Sequence, residues 1–319
     1  MQRHVALVGA PSSIGIRPYD DGGARRLDLA PAELRRQGVH RLASRDLGDV
    51  TPPPYRDFQR IPGRPRNEEE VGRYSRDLGR AISDAAQDGA FVLLLGGDCS
   101  IVLGGLLGAR QSGRSRVGLV YIDAHGDFAT PETSRSGSAA SMCLALAAGI
   151  GDTPLARLNA NGPLVRQEDV VILGRRDDND PDPWYGQDVI RKSPMLDVTH
   201  AEIRQRGLAE TARQALRRLT QPGVDGFWIH VDADVLDPSV VPAVDSPEPD
   251  GLRLDELADL LRPLVNHPHA VGLELTIYDP KLDPDHSSAA HLAALLTEVL
   301  APEASEPSSR PTNVRSFPA

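Results

Sequence analysis

Short apolar runs recur along this 319-residue chain and alternate with longer stretches of helical pattern. The runs are apolar throughout, rather than at every second position, and turn residues bound them, which is typical of strands buried on both faces. The predicted strands are His4–Val8, Phe91–Leu95, Val117–Ile122, Asp169–Leu173, Gly226–Asp232 and His269–Leu275, with weaker candidates at Arg41–Asp46 and Met195–Val198.

Helical patterns separate these strands. They are predicted at Ala30–Gln37, Glu68–Gln87, Ala139–Ala148, Leu208–Leu219, Leu254–Leu264 and Ser288–Leu300. Buried strands that alternate with helices indicate an α/β fold, in which helices cover both faces of a parallel sheet. Ligands of such sheets bind beyond the carboxyl ends of the strands, so the residues after each strand are where a functional site is expected.

Composition excludes several classes of protein. The net charge of -10 and the pI of about 5.4 argue against a surface for nucleic acid. No segment reaches the ~20 apolar residues that a membrane helix requires. Two cysteines are too few for a disulfide framework, which favours a reducing compartment. We therefore expect a soluble, cytoplasmic protein that acts on a small molecule, with no membrane or nucleic-acid partner.

The chain is expected to form one domain over residues 1–301. The Pro- and Arg-rich stretch Gly48–Arg66 is predicted to be a surface loop of this domain. Residues 302–319, which are rich in Ser, Pro and Glu, are predicted to be a disordered tail.

Polar clusters follow three of the predicted strands. They read Gly96-Gly97-Asp98-Cys99-Ser100, Asp123-Ala124-His125-Gly126-Asp127, and His230-Val231-Asp232-Ala233-Asp234-Val235-Leu236-Asp237-Pro238. Alone, the first cluster is better explained as a glycine turn with an N-capping Asp and an inert buried Cys. In the other two, potential ligands alternate, and alternate residues of an extended segment share one face.

Alternating carboxylates next to an apolar strand repel each other and lose hydration. A divalent cation removes both problems, and sites rich in oxygen with one or two His suit Mn²⁺, Mg²⁺ or Fe²⁺. Two such ions ~3.5–4 Å apart can share the water that attacks a carbon or phosphorus centre. A solvated Asp-rich loop is the competing interpretation, and it fits poorly beside fully apolar strands.

The three clusters, in this order and separation, resemble the ureohydrolase superfamily of arginase, agmatinase, formiminoglutamase and guanidinobutyrase. The resemblance runs from about Val5 to about Leu300. It implies a three-layer α/β/α fold around an eight-stranded, mainly parallel sheet, which agrees with the predicted strands. It also implies a metal-dependent hydrolase of non-peptide C–N bonds and, by analogy, a homo-oligomer such as a trimer or hexamer.

The same resemblance implies a binuclear Mn²⁺ centre and a role for each ligand. Asp123 and Asp232 would bridge both metals. Asp127 and Cys99 would complete one metal's shell, and Asp127 is also a candidate catalytic residue. His125 and Asp234 would complete the other shell.

His230 is a further catalytic candidate, two residues before Asp232. It would lie deeper on the same face, as a hydrogen-bonding partner of a ligand. A satisfied core histidine is the equally weighted alternative.

The chain departs from the family pattern first at Cys99, where the family usually has His. A thiolate is a softer ligand, which favours Zn²⁺ or Fe²⁺ in that half, or else Cys99 does not coordinate. Some arginase-like enzymes of antibiotic biosynthesis that act on hydroxyarginine resemble this variation.

The second departure is Ala140, which takes the place of the His credited with proton shuttling in the family. Glu132 in the same loop, or a water, would have to supply the missing acid. The hydroxyls of Ser134, Ser136 and Ser138 remain candidates for holding a substrate carboxylate.

The third departure is Ile277, which replaces the Glu that pairs with the substrate guanidinium. Glu274 and Asp279 are nearby acids but occupy other positions. The loss disfavours an unmodified arginine side chain and favours a neutral or less basic group, such as an N-hydroxyguanidine, a formimino group or an amide. Asp177 and Asp178 loosely match an Asp that contacts the substrate amine.

Three hypotheses follow from the sequence. The first is an active binuclear-metal hydrolase of a guanidino- or amidino-type small molecule, such as a modified arginine derivative. The second is plain arginase or agmatinase activity. The third is a non-catalytic homologue that binds metal or a ligand as a partner subunit.

Overall fold

Eight strands form a single sheet in the computed structural model of the protein, which describes residues 4–178 and 186–301. Every neighbouring pair is parallel, and the order in space is β2-β1-β3-β8-β7-β4-β5-β6. The predicted eight-stranded α/β fold is therefore confirmed. The strands are β1 (Val5–Gly9), β2 (Arg45–Asp49), β3 (Phe91–Leu95), β4 (Val117–Ile122), β5 (Val170–Leu173), β6 (Leu196–Val198), β7 (Gly226–Asp232) and β8 (Ala270–Thr276).

Helices cover both faces of this sheet. They are α1 (Ala30–Arg36), α2 (Glu68–Ala85), α3 (Val102–Gln111), α4 (Cys143–Ala147), α5 (Gln187–Lys192), α6 (His200–Arg206), α7 (Leu208–Leu219), α8 (Leu254–Val265) and α9 (Ser287–Leu300). One layer contains α2, α3 and α4, which pack against each other, and the other contains α1, α9, α8, α7 and α6. No helix in the described ranges combines the length and apolarity needed to cross a membrane.

Burial follows position in the sheet. All residues of β1, β3, β4, β5, β7 and β8 are buried, which explains why these strands are predominantly apolar. The exceptions are polar residues of β7 and β8, namely His230, Asp232, Glu274 and Thr276. All residues of β2, by contrast, are exposed, and its charged sequence lies at the edge of the sheet.

The structure corrects the weakest strand prediction. The segment Val39–Leu42 forms a 3-10 helix that begins after Gly38, whose φ of 98° is left-handed. Strand β2 therefore starts at Arg45 rather than Arg41, and it ends at Asp49 rather than Asp46.

Helix α3 was absent from the predicted elements because its glycines disfavour a helix on propensity alone. The glycines serve packing instead. A Cβ atom at Gly104 would lie 2.6 Å from Leu78 Cβ, and one at Gly108 would lie 2.6 Å from Ile82 Cβ. Only glycine lets α3 approach α2 this closely.

Two further helices, α5 and α6, were also not predicted; α6 begins with a capping box formed by Thr199 and Glu202. The predicted helix Ala139–Ala148 is divided into a 3-10 turn over Ala140–Met142 and helix α4. The tail predicted to be disordered, residues 302–319, lies outside the described residues.

The three clusters converge because of strand order. Strands β3, β8, β7 and β4 are the four middle strands, and they run in the same direction. Their carboxyl ends therefore meet at one edge of the sheet, and the clusters follow three of them.

Candidate metal centre

Side chains from the ends of the middle strands form two adjoining sets of candidate metal ligands. Within each set, all ligand atoms lie within 4.8 Å of one another. The Cys99 set consists of Cys99, Asp123, His230 and Asp232, and the His125 set consists of Asp123, His125 and Asp234. Asp123 belongs to both, so the geometry offers two cation sites with a shared carboxylate.

Asp123 and Asp232 each use one oxygen to hold the turn after their strand. Asp123 Oδ1 accepts the backbone amide of His125 at 2.7 Å. Asp232 Oδ1 accepts the amide of Asp234 at 2.8 Å. Asp232 Oδ2 lies 2.8 Å from Cys99 Sγ, and Asp123 Oδ2 has no hydrogen-bond partner in the part of the chain described. The same local turn thus leaves one carboxylate oxygen for the centre at each strand end.

His125 lies between carboxylates. Its Nδ1 is 3.0 Å from Asp234 Oδ2 and 3.5 Å from Asp123 Oδ1, and its Nε2 is 3.9 Å from Glu248 Oε1. Burial opposes protonation, but the charges and hydrogen bonds of Asp234 and Asp123 outweigh it and raise the pKa of His125 well above its ordinary value. These carboxylates therefore favour the protonated form of the imidazole.

Burial raises the pKa of the acidic groups around the centre. The pKa of Asp232 lies well above its ordinary value, first because it is buried and then because Asp234 and Asp123 are near. Burial, followed by the charge of a neighbouring Asp, also raises the pKa of Asp123 and, strongly, that of the Cys99 thiol. A divalent cation would offset both effects, since it compensates for lost hydration and screens the like charges.

His230 is fully buried on β7. Its Nδ1 is 2.6 Å from Glu274 Oε1 on β8, and its ring stacks on Tyr121 with the centroids 4.2 Å apart. Both interpretations from sequence kept His230 out of the ligand set. The structure instead places it among the candidate ligands, because alternate residues of β7 project to the same side.

The residues present fit a pair of divalent metal ions. Asp123 Oδ2 and His230 Nε2 are buried and have no hydrogen-bond partner within residues 4–178 and 186–301. Buried polar atoms of this kind are uncommon unless something binds them. Carboxylate oxygens, imidazoles and a thiol are also the donors that divalent transition metals prefer.

Asp127, predicted as a ligand and as a catalytic residue, lies in neither set. Its Oδ2 accepts a hydrogen bond from the Tyr121 hydroxyl at 2.7 Å, and that hydroxyl is 3.1 Å from Cys143 Sγ. Burial and the charge of Asp123 raise the pKa of Asp127 well above its ordinary value. The charge of Asp123 thus affects Asp127, although Asp127 belongs to neither set and its carboxylate is bonded to Tyr121.

An open cleft of about 470 Å³ leads to the centre. Ala140 and Ile277 line it, so the two positions that depart from the family pattern form apolar surfaces of the cleft. At the base of the cleft the lining includes Cys99, His125, Asp127, Asp232 and Asp234. The other polar lining residues are Arg17, Asp20, Arg25, Arg66, Arg135, Ser136, Ser138, Ser141, Asp245 and Ser246.

The predicted substrate-binding serines do not all reach the cleft. Ser136 and Ser138 line it, whereas Ser134 Oγ accepts the amide of Gly137 at 3.0 Å and stabilises the turn. Ser138 Oγ accepts the amide of Arg17 at 3.0 Å, and Ser136 Oγ accepts that of Ser138 at 3.1 Å. The loops after β1 and β4 therefore meet at these hydroxyls.

Three predicted site residues lie away from the cleft lining. Glu132 is exposed and does not belong to the cleft lining. Asp177 accepts hydrogen bonds from Arg175 at 2.9 Å and from the amide of Gly126 at 3.0 Å, so it stabilises the loop after β4. Asp178 follows it and is half-buried outside the lining.

Arginines are the part of the cleft that the sequence did not reveal. Arg17 follows β1, and Arg66 ends the stretch Gly48–Arg66, which composition predicts only as a surface loop. Arg66 Nε donates to the carbonyl of Ser136 at 2.8 Å, so this loop stabilises the serine-containing segment that lines the cleft. A signal was available for Arg17, because β1 ends at the same edge of the sheet as the other strands.

Comparison with known proteins shows which family has this architecture. The model of the Arginase family matches residues 3–301. The chain belongs to the arginase family. Arginase from Bacillus caldovelox is 31% identical over 296 residues, which cover 89% of this chain and 96% of that protein. Arginase from Brevibacillus brevis is 29% identical over 305 residues, covering 94% of this chain and 98% of that protein.

Solved structures agree with this assignment. The arginase of Bacillus caldovelox superposes on this arginase-family chain with a TM-score of 0.83 at 28% identity, covering 95% of this chain and 99% of the other. The formimidoylglutamase of Bacillus subtilis shares the fold, with a TM-score of 0.70 at 23% identity over 93% of this chain and 86% of the other. The predicted membership of the ureohydrolase superfamily is confirmed.

Without bound metal, this arginase-family protein is expected to become less stable as the pH rises. Asp123, Asp127 and Asp232 have raised pKa values in the folded chain. Their contribution to the free energy of unfolding is therefore fully present below about pH 4, the pKa of an Asp in the unfolded chain. It is lost as the pH rises through the higher pKa values that these groups have in the folded chain. Thermal unfolding in the presence of a chelator measures this trend from about pH 4 to about pH 8.

The substitution Asp127→Asn removes one of these ionisations, so comparison with the wild type separates the effect of Asp127 from that of every other titrating group. The difference in melting temperature between this variant and the wild type should be near zero at the acidic end and should grow in favour of the variant as the pH rises. A difference that does not change with pH would contradict the expected burial of a charged Asp127.

Proposed function

We propose that the protein hydrolyses a linear C–N bond in an amidino- or guanidino-type small molecule, at a centre of two divalent metal ions. The observation that carries this proposal is the convergence of two ligand sets on the shared carboxylate of Asp123, beneath an open cleft. Family membership supports the same class of reaction.

The proposed centre would be held by Asp123, His125, Asp232 and Asp234, with Cys99 on one side. When bound there, a metal pair lowers the pKa of a water molecule and so supplies a nucleophile near neutral pH. The His125 set offers carboxylate oxygens and one imidazole, which suit Mn²⁺.

Asp127 is proposed as the group that receives a proton from the attacking water. Its carboxylate lines the cleft, and the Tyr121 hydroxyl donates to it at 2.7 Å and so fixes its orientation. An ionised carboxylate in this position can take up a proton during the reaction.

The substrate head group is proposed to be neutral or weakly basic. Ala140 and Ile277 present apolar surfaces to the cleft, so the lining offers no carboxylate at the position where the family pattern pairs a Glu with a guanidinium. A protonated guanidinium held there would lack its bidentate partner. An N-hydroxyguanidine, a formimino group or an amide fits this wall better.

The substrate tail is proposed to be anionic. Ser136 and Ser138 each accept a backbone amide at their Oγ atoms, so a hydroxyl proton can be directed to a substrate carboxylate, most directly from Ser138, because Ser136 Oγ also lies 3.5 Å from Ser141 Oγ. Arg17, Arg66 and Arg135 lie in the same lining; Arg17 is paired there with the exposed carboxylate of Asp20, which a substrate carboxylate would replace or share.

Arg17→Gln is expected to raise KM about 10-fold and leave kcat nearly unchanged, because a charge-assisted hydrogen bond to the tail would be lost. Steady-state kinetics on the best substrate measure this change. Arg26→Gln is the matched control, because Arg26 pairs with Asp28 and is absent from the cleft lining. A drop in kcat with unchanged KM would place Arg17 in another role.

A substrate panel tests the proposed function. Metal-free protein reloaded with Mn²⁺ is assayed with N-hydroxyarginine, N-formiminoglutamate, guanidinobutyrate, agmatine and arginine, with release of the C–N cleavage product as the readout. We expect a substrate with a neutral or weakly basic head and an acidic tail to be cleaved fastest. Two bound metal ions with no cleavage of any compound would favour a non-catalytic metal-binding homologue instead.

A further inference from the structure

His230 is a member of the Cys99 set, and one of its two ring nitrogens has no hydrogen-bond partner among the described residues. This nitrogen is Nε2, and it is buried. We propose that His230 binds the metal ion of the Cys99 set through Nε2, with Glu274 as the positioning residue. This inference rests on the proposed metal centre and adds a ligand to it.

Glu274 determines which nitrogen of His230 is available. Its Oε1 lies 2.6 Å from His230 Nδ1, and both side chains are fully buried. With the shared proton on Nδ1, the lone pair lies on Nε2. Metal-binding histidines commonly have this arrangement, in which a carboxylate fixes the tautomer and makes the ring a better ligand.

The register of the sheet fixes the ring in place. His230 on β7 is directly paired with Tyr121 on β4 and with Glu274 on β8. The stack on Tyr121, with the two rings 5° from parallel, blocks rotation of the imidazole on one side. The hydrogen bond to Glu274 holds it on the other side. The ring is therefore positioned by three neighbouring strands rather than by a loop.

Helix α3 leaves room for the positioning carboxylate. A Cβ atom at Gly105 would lie only 2.9 Å from Glu274 Oε2 and 2.7 Å from Trp228 Nε1. Glycine at this position therefore lets α3 cover the His230–Glu274 pair closely, which keeps water away from it.

A purely structural histidine explains these contacts less well. Buried histidines usually have both ring nitrogens hydrogen-bonded, whereas Nε2 of His230 has no such partner in the described ranges. A ring nitrogen of His230 lies within 4.8 Å of the ligand atoms of Cys99, Asp123 and Asp232, and Nδ1 is already bonded to Glu274. The family pattern places an imidazole at the position of Cys99. Here β7 would supply that imidazole, and Cys99 would add a thiolate. One sulfur, one nitrogen and two carboxylates form a four-donor set that suits Zn²⁺.

His230→Phe tests the inference, because Phe can keep the stack on Tyr121 but cannot bind a metal. Metal-free protein is titrated with Co²⁺ and with Zn²⁺, and stoichiometry, affinity and the thiolate-to-cobalt absorption are recorded. The wild type should bind two ions, one with thiolate absorption. In the variant, affinity for that ion should fall by about 100-fold or more, since outer partners alone are worth roughly 10–100-fold. The second ion should remain.

Two further variants distinguish the loss of a metal ligand from misfolding. Glu274→Gln should weaken the same ion by roughly 10–100-fold. Adding Cys99→His to His230→Phe should restore tight binding without thiolate absorption, because the imidazole then comes from the β3 side.

The outcomes distinguish the proposal that His230 is a ligand from the proposed function at a two-metal centre. Two ions bound with unchanged affinity in His230→Phe and in Glu274→Gln would show that His230 is not a ligand, and the proposed function would stand. A wild-type protein that binds neither Co²⁺ nor Zn²⁺ nor Mn²⁺ would overturn the metal centre itself.

Discussion

Asp232→Asn is expected to lower the melting temperature of the metal-loaded protein and to raise that of the metal-free protein. In the metal-free state the substitution removes a buried charge whose pKa is raised by burial and by Asp234 and Asp123. In the loaded state it removes a ligand of the proposed centre, and stabilisation by bound metal of about 3–4 kcal/mol is weakened. Each shift should amount to several degrees, and activity should fall more than about 100-fold.

Calorimetry with a chelator and with saturating Mn²⁺ measures both shifts, and metal analysis measures the bound ions. Asp237→Asn is the control, since Asp237 follows the same strand but lies outside both ligand sets. Its effect should have the same sign in both states. If Asp232→Asn changes the two melting temperatures in the same direction, or leaves the metal content at two ions, then Asp232 is not a ligand.

The double variant Ala140→His, Ile277→Glu is expected to increase cleavage of arginine about 100-fold or more. A general acid is commonly worth roughly 10²–10⁴ in rate, and a carboxylate at position 277 would pair with the guanidinium. Both wild-type side chains line the cleft, so the new groups would face the substrate. Ile277 has a φ of 67°, which is strained for a β-branched residue, so Glu should fit this backbone better. Urea release from arginine, measured as kcat/KM, gives the readout.

Ile277→Gln in the same Ala140→His background is the matched control, because it has the shape of Glu without its charge. It should improve arginine cleavage far less. Equal gains with Gln and Glu would show that recognition of the guanidinium charge is not what the wild type lacks.

The strands could be predicted from sequence where burial dictated them. β3 and β4 are apolar at every position, and their predicted bounds agree with the structure. Helix α3 could not be predicted, since Gly104 and Gly108 lower local propensity and are favoured only by the approach of α2. Strand β2 was misplaced because its charged, exposed residues carry no pattern of burial.

In the candidate site, too, local patterns could be predicted from sequence, whereas contacts between distant segments could not. Alternation along one strand brought Asp123 and His125 together in the prediction, and the structure places them in one ligand set. The pairing of His230 with Glu274 joins two strands that are far apart in the chain, so no local pattern contains it. Arg17 depends in the same way on contacts between separate loops.

The edge strand β2 has a consequence for self-association. Arg35 hydrogen-bonds to Asp46 at 2.9 Å and Asp49 at 2.5 Å, and it reaches the carbonyl of Gly48 at 3.3 Å. A neighbouring molecule could add a strand here only by displacing this guanidinium and burying charged groups. Growth of a continuous intermolecular sheet is therefore blocked at this end. A homo-oligomer that assembles through other surfaces would avoid this cost, and symmetry can limit its size.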